Sequence, residues 1–564
     1  MRLRCDTSTI EGLQYLTLSH VWGDTPHRLR LTLSRLDEFQ AAVPWSELPD
    51  IFIEALRVLR HTGYRYLWVD VLCIIQDSPS DWETEAASMD SVYSNAICSI
   101  AFLFPPGEGL MRTRKDPRTM SSCVIRKATQ KQQGICIIPT ANQELPDSRV
   151  PLTYIDGVPY ASFVDGYVSR LNYHKWPITQ RAWTFQEHLL CPRTVFYGHQ
   201  TLMWECVEEV CDELAGSWLA KSETRDYNRA SDQRKITQKR FISSRDVPHE
   251  IDVPVVAADY KNLLNYFANW KDLIREYSGR DLTVPSDRPI AFAGVARAFQ
   301  AGQRLTYLAG IWAESLPDGL LWYVATSREE VGPISQSIRE PGSDMAPSWS
   351  WLSCPLYKKH RIQFYTEYES FVRKTGEKPP NNLIFWAPLV HFQWHDQPLN
   401  QVPLKTFHDF SGLSLTLEVA TYEECRLRSR DDAWYISCQS LRERLASSYH
   451  LNAMATLRCD DVRYHEKPPE KALLALLVET QDTLQTYCSF AGLALIPGRE
   501  KGTWQRFGYW WSKLFLQDVR VQMVDSDDEQ SSWESEHPTI KWKPGDGSTF
   551  LRLEGVKMEK LTLV

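Results

Sequence analysis

Glu85 stands three residues after Trp82 in the segment SDWETEAASMDSVYSNA, and Asp70 interrupts the apolar run YLWVDVLCIIQD. Carboxylates in apolar settings are well suited to acid–base or charge-stabilising chemistry, because partial desolvation shifts their proton affinity. At about 100° per residue, the stripe Trp82, Ala86, Met89, Tyr93, Ala96 spans roughly ±40° about Trp82. Glu85 then falls near about −60°, on the margin of that stripe, whereas Glu83 points about 100° away. Ser19, Trp22 and Gly23 in SHVWGD, with Gln76 and Asp77 closing the apolar run, add polar and aromatic groups suited to holding a substrate. Each residue also has an architectural reading. Glu85 fits a snorkelling boundary acid. Asp70 fits a buried carboxylate bonded to backbone N–H groups or paired with Arg181 of RAWTFQE. Trp22 and Trp183 fit packing. Position alone leans toward architecture for all of them.

The elements that must position these groups follow from periodicity. Tyr15 to Leu18 reads as a short strand ending at the SHVWGD turn. Phe52, Ala55, Leu56 and Leu59 recur at helical spacing, with Gly63 as the C-terminal stop. The run containing Asp70 reads as a second buried strand. The segment after it reads as a helix opened by a Ser80/Glu83 capping box. AICSIAFLF reads as a third strand, PITQRAWTFQEHLLC as one helix stopped by Pro192, and RTVFYG and TLMWECVEEV as further strands. Alternating helices and continuously apolar strands predict an α/β domain, a parallel sheet covered on both faces. In such sheets ligands bind beyond the carboxyl ends of the strands. Ser19, Asp70 and the start of the Trp82 helix converge there.

The expected organisation is a first domain over 1–215 with an insertion at about 105–178. A polar linker over 216–255 follows, then a C-terminal region over 256–564. That region begins with the helix DYKNLLNYFANWKDLIREYS and continues as a mainly antiparallel β structure of short aromatic runs. The surface loops KTGEKPPNN and DSDDEQSSWESE fall within it.

Composition narrows the function classes. A net charge of −8 offers no basic surface for nucleic acid or acidic lipid. The 13 cysteines are scattered without a Cys-x-x-Cys pair, and fit free thiols in a reducing compartment. His391 and His395 in HFQWH lack the acidic base of a zinc-protease helix, so no metal is expected. No apolar run reaches spanning length and no signal-peptide core opens the chain, so a cytoplasmic protein is expected. The 21 tryptophans point to β-rich regions with large cross-strand side chains.

YLTLSHVWGD, YLWVDVLCIIQDSPSDWETEAASMDSVYSNA and RAWTFQEHLLCPRTVFYG, in this order, closely resemble the heterokaryon incompatibility (HET) domain of filamentous fungi. Later segments, DRPIAFAGVARAF, YLAGIWAESLPDGLLW, APSWSWLSC and GLALIPGREKGTWQRFGYW, are similar to the β-rich C-terminal region common in HET proteins. The resemblance implies a role in allorecognition, in which fusion with a different strain triggers cell death. It also implies a remote likeness to TIR domains, with their flavodoxin-like parallel sheet. Many TIR domains hydrolyse NAD with a glutamate on a helix that begins at a tryptophan motif. The counterpart here is Glu85 after Trp82, at a spacing of three where TIR enzymes usually have four. Under this expectation NAD is a substrate and there is no bound cofactor. Glu85 is the catalyst with Asp70 positioning, and Ser19, Trp22, Gly23, Gln76, Asp77 and Trp82 bind substrate. Arg181, Trp183, Gln186 and Glu187 form a structural motif. Self-association or protein partners acting through the HET domain are expected. The competing expectation is a non-enzymatic signalling or scaffold module.

Overall fold

A computed structural model describes residues 1–5, 12–21, 29–103, 123–129, 132–138, 177–198, 202–207, 210–212, 216–217, 239, 257–301, 305–316, 318–326, 346–354, 356, 360–364, 389–394, 397–398, 410, 413–430, 433–437, 455–459, 472–481, 487–515 and 558–564. Most of the expected insertion, most of the polar linker and both expected surface loops lie outside the described residues.

The chain divides into two compact units, Met1–Glu250 with Arg280–Gln303, and Ile251–Gly279 with Arg304–Val564. The boundary expected at 256 therefore does not capture the division, because the segment 280–303 returns to the first unit.

In the first unit the order is β1 (Tyr15–Ser19), α1 (Leu36–Ala41), α2 (Asp50–His61), β2 (Tyr66–Trp68), α3 (Asp70–Cys73), α4 (Pro79–Ser94) and β3 (Cys98–Phe102). A hairpin of β4 (Cys123–Thr129) and β5 (Gln132–Ile138) follows. Then come α5 (Pro177–Gln180), α6 (Trp183–Leu190), β6 (Arg193–Tyr197), β7 (Leu202–Cys206), β8 (Val210–Asp212), β9 (Gly216–Ser217) and, far along the chain, α7 (Arg288–Gln300). The sheet runs β2-β1-β3-β6-β7-β8-β9. It is parallel through β6 and antiparallel beyond. This is the expected mixed α/β architecture. Chain order reverses at β1, with β2 on one side and β3 on the other, which opens a crevice at the carboxyl ends of the strands.

Alternation along β1 decides what each face carries. Leu16 and Leu18 face a cluster with Phe39, Phe52, Ala55 and Leu59 of α1 and α2. Tyr15 faces the opposite cluster of Met89, Tyr93, Leu190 and Cys191. Gly63, at φ +82°, ends α2 as expected, since a residue with a Cβ is strained there.

Three local expectations are corrected. The run around Asp70 is no continuous strand: β2 stops at Trp68 and Asp70 opens the one-turn helix α3. Helix α4 is capped by Ser78, whose hydroxyl accepts the Asp81 N–H at 3.3 Å, and not by Ser80 with Glu83. Pro79 at the first helical position selects that start, because its missing N–H costs nothing there. The single helix expected over 177–191 is two, broken at Arg181–Ala182. Asp281 causes the break: its N–H donates to Gln180 O at 2.6 Å and its carbonyl accepts the Ala182 N–H at 2.9 Å.

Helix α7 packs on α4 and α6. Phe292 stacks on Phe185 with centroids 6.4 Å apart. Arg297 Nε donates to Asp90 Oδ2 at 2.7 Å. Gly294 allows the close approach: a Cβ there would lie 2.6 Å from both Asp90 Cβ and Gln186 Oε1. Gly294→Ala should destabilise by about 1–3 kcal/mol through overpacking, although alanine is the better helix former by about 1 kcal/mol. A lower urea midpoint at unchanged slope is the expected result, and an equal or higher midpoint would show that the contact gives way.

The second unit begins with the expected helix, Ala257–Ser278, and carries a nine-stranded, mainly antiparallel sheet. Its tryptophans are core material: Trp312, Trp322, Trp349, Trp351 and Trp510 are each fully buried. Trp270 and Trp351 donate their indole N–H groups to Gly310 O at 3.1 and 2.9 Å. The Arg506 guanidinium lies 3.5 Å over the Trp322 ring. Among the described residues no helix is long and apolar enough to cross a membrane.

Candidate active site

Ser19 is the last residue of β1 and, by alternation, points toward α4 and α6. Its hydroxyl donates to Glu187 Oε2 at 2.6 Å and lies 3.3 Å from the Ser99 hydroxyl of β3. Glu187, one turn into α6, is 5% exposed. Burial raises its carboxyl from the ordinary glutamate range to about 7, and the charge of Asp70 adds to the rise. Hydrogen bonds from Ser19 and Tyr93 and the charge of Arg181 oppose it. Tyr93, on the buried stripe of α4, completes the group. Its phenol is pushed up by burial and by Glu187 and Asp70. Arg181 sits at the break between α5 and α6 and donates from Nη1 to His20 O at 3.0 Å. Helix breakage, strand end and helix start thus bring Ser19, Asp70, Tyr93, Arg181 and Glu187 together at the carboxyl edge of the parallel strands.

Ser19, Tyr93 and Glu187 are buried and Asp70 and Arg181 half-buried, and a further half-buried layer surrounds them. Trp82 of α4 meets Trp183 of α6 edge to face, with centroids 6.2 Å apart. The Trp183 indole also bonds to Asp287, whose carboxyl is raised by burial. Glu85 is half-buried and Glu83 exposed, as the helical geometry required. Burial and the neighbouring Asp81 raise the Glu85 carboxyl. Glu85 also acts electrostatically on the Cys73 thiol of α3, while Ser19, Asp70, Arg181 and Tyr93 act on Glu187. Asp70 acts on both Cys73 and Glu187, and so links the surroundings of the two glutamates.

The other expected binding residues serve the backbone. Gln76 Nε2 donates to Ile74 O at 2.9 Å and to Asp70 O at 3.3 Å. Asp77 Oδ1 accepts the Leu33 N–H at 2.8 Å. Gln186 packs under Gly294 of α7. Trp22 and Gly23 lie outside the described residues.

Ser19 also lines a small recess between β1, β3, β6, α5 and α6, with about 20 Å³ of free space, enough for about one water molecule. Thr179, Thr184, Thr194, His188 and Arg280 line it as well. His188 Nε2 is 2.5 Å from Glu205 Oε2. Sequence reasoning missed Tyr93 as a polar group, because at helical spacing it counts as one more apolar stripe position. It missed Arg280 because nothing local marks a residue that joins the site from so far along the chain.

The family model for heterokaryon incompatibility protein (HET) matches residues 15–187. That span holds Ser19, Asp70, Tyr93, Arg181 and Glu187. Residues 15–187 are similar to a HET domain. A curated relative, heterokaryon incompatibility protein 6, OR allele, of Neurospora crassa, is 24% identical over 211 residues. The alignment covers 35% of this chain and 31% of that relative, so the chain spans about a third of its length. No solved structure matches the chain. The segment with α7 and Arg280 lies beyond the matched residues.

Proposed function

We propose that this HET-domain chain is a cell-death effector of incompatibility that hydrolyses the nicotinamide–ribose bond of NAD, with self-association as its trigger. One observation carries the proposal: a buried glutamate near neutrality, Glu187, bonded at 2.6 Å to the hydroxyl of Ser19 where the strand order reverses. The likeness of HET domains to TIR domains supports the choice of substrate. In the proposed step, a water held against Ser19 passes a proton through the Ser19 hydroxyl to the Glu187 carboxylate. The water oxygen bonds to C1′ of the ribose while the C1′–N bond breaks. The bonding pair neutralises the pyridinium nitrogen, so nicotinamide leaves without a general acid. Asp70 supplies negative charge toward the oxocarbenium-like transition state. Glu187 then releases its proton to solvent, and the balance is NAD plus water to ADP-ribose, nicotinamide and one proton. Trp82 and Trp183 form an aromatic surface suited to the departing ring. Glu85, the acid that the TIR likeness points to, would act from the half-buried layer.

Purified full-length chain, assayed across concentrations that include its self-associated form, should release ADP-ribose and nicotinamide in equal amounts. Intact NAD under all those conditions would leave the second reading, a scaffold acting through protein contacts. The exposed Leu33 and Trp45, 59% and 50% accessible in the connection between β1 and α2, favour that alternative.

A further inference from the structure

We infer that Tyr93 of α4 is a positioning residue for the proposed reaction: its phenol joins the Ser19 hydroxyl in holding the Glu187 carboxylate against Ser19. The inference rests on the reading above and names what fixes its base. Tyr93 is 1% exposed and belongs to the apolar stripe of α4, in the cluster with Met89, Ala96, Leu190 and Cys191. Its ring meets Trp68 of β2 edge to face, with centroids 5.6 Å apart. This packing sets where the phenol oxygen points. A phenylalanine would satisfy the packing equally well, and a buried hydroxyl costs free energy unless it is bonded. The Tyr93 hydroxyl is bonded, to Glu187 and to Ser19. Ser19 commits its one hydrogen to Glu187 Oε2 at 2.6 Å, so the phenol hydrogen is a second one for the carboxylate to accept. The last torsion of a glutamate has only a broad preference of its own, so its bonded partners decide how the carboxylate is turned.

The charged groups around Glu187 act differently. Asp70 of α3 opposes the charge of the carboxylate, and Arg181, at the break between α5 and α6, favours it. Asp90, one turn before Tyr93 on α4, accepts from Arg297 of α7 at 2.7 Å. His188, next to Glu187 on α6, is 2.5 Å from Glu205, and Arg280 lies 4.7 Å over Phe185 and bonds to Thr184. Ser19 and Tyr93 reach Glu187 with hydrogen bonds, one from the sheet and one from the helix layer. In the proposed step Ser19 passes its hydrogen to Glu187 and receives another from the water. Tyr93 keeps its hydrogen throughout, so it can hold the carboxylate while Ser19 exchanges protons. A bond to the ionised form is the stronger one and favours the carboxylate that the step requires.

The test is Tyr93→Phe in the full-length chain, which removes one oxygen and keeps the ring on Trp68. Wild-type NAD turnover should rise through about pH 7, and in Tyr93→Phe that rise should move upward by about one pH unit at an unchanged KM. A purely packing role would lower the rate equally at every pH. Urea unfolding supplies a readout that needs no NAD. The midpoint lost on Tyr93→Phe should be larger at pH 8.5, where Glu187 is ionised, than at pH 5, where it is protonated. In a Glu187→Gln background the loss should be the same at both pH values, because no charge is then held. An unmoved inflection, or an equal loss of midpoint at both pH values with Glu187 present, overturns the inference. A larger loss at pH 8.5 in a chain that leaves NAD intact would retain the Tyr93 bond and sink only the hydrolase reading. NAD turnover with the wild-type pH profile in Tyr93→Phe would sink only the role of Tyr93.

Discussion

Glu187→Gln is expected to lower NAD turnover by about 100-fold or more, and Glu85→Gln by less than about tenfold, because general base catalysis is worth about 10²–10⁴. Glutamine keeps the size of Glu187 and a hydrogen-bonding oxygen for Ser19, so the loss isolates proton transfer from packing. The wild-type rate should climb as pH rises through about 7, since the base must be the carboxylate and burial holds that transition there. The residual rate of Glu187→Gln should lack this inflection. Steady-state rates from pH 5.5 to 8.5 check both statements. A larger loss in Glu85→Gln would move the chemistry to the half-buried layer beside Trp82.

Stability should run in the opposite direction. An unfolded glutamate titrates near about 4.3, and Glu187 does so at about 7 in the fold. A raised folded value means that the native state holds the proton more tightly. The stabilisation is complete below the unfolded value and is lost as pH rises through about 7. The difference corresponds to about 3 kcal/mol between pH 4 and pH 8 from this group alone. Glu187→Gln imitates the protonated form at every pH, so its unfolding midpoint should change less with pH and exceed that of wild type at pH 8. Urea unfolding of both proteins at pH 5 and pH 8 measures the difference. Parallel pH dependences would show that Glu187 does not carry the effect. Activity and stability thus draw on the same proton in opposite senses.

Much of the first unit was readable from periodicity. β1, α2, α4 and β3 stand where the apolar pattern put them, because α2 and α4 each lay one apolar face on the sheet and β1 and β3 are buried within it. The misreadings share another origin. Asp70, the acid that interrupts the apolar run, opens α3, but the apolar residues on either side of it are suited to a strand as well as to a helix turn. Ser78 with Asp81 and Ser80 with Glu83 are rival caps two residues apart, and only the tolerance of proline at the first helical position separates them. The break at Arg181 is imposed by Asp281, a partner 100 residues later and silent in local propensity. In the site, Ser19 and Asp70 were legible from their place at strand ends. Glu187 was recognisable as motif, but its perturbed proton affinity comes from neighbours that only the tertiary fold assembles. Arg280 had no local signal at all.

The separation of Ser19 from Glu187 by 168 positions also sets a delay during synthesis. At about 5–20 residues per second, a ribosome needs roughly 8–34 s after making Ser19 to reach its partner acid. It then needs several seconds more to deliver Arg280 and α7. A nascent chain therefore carries an open, unfinished crevice for about half of its synthesis. A chain that stops before residue 280 lacks both the Asp281 contact that breaks the helix at Arg181 and the covering helix α7.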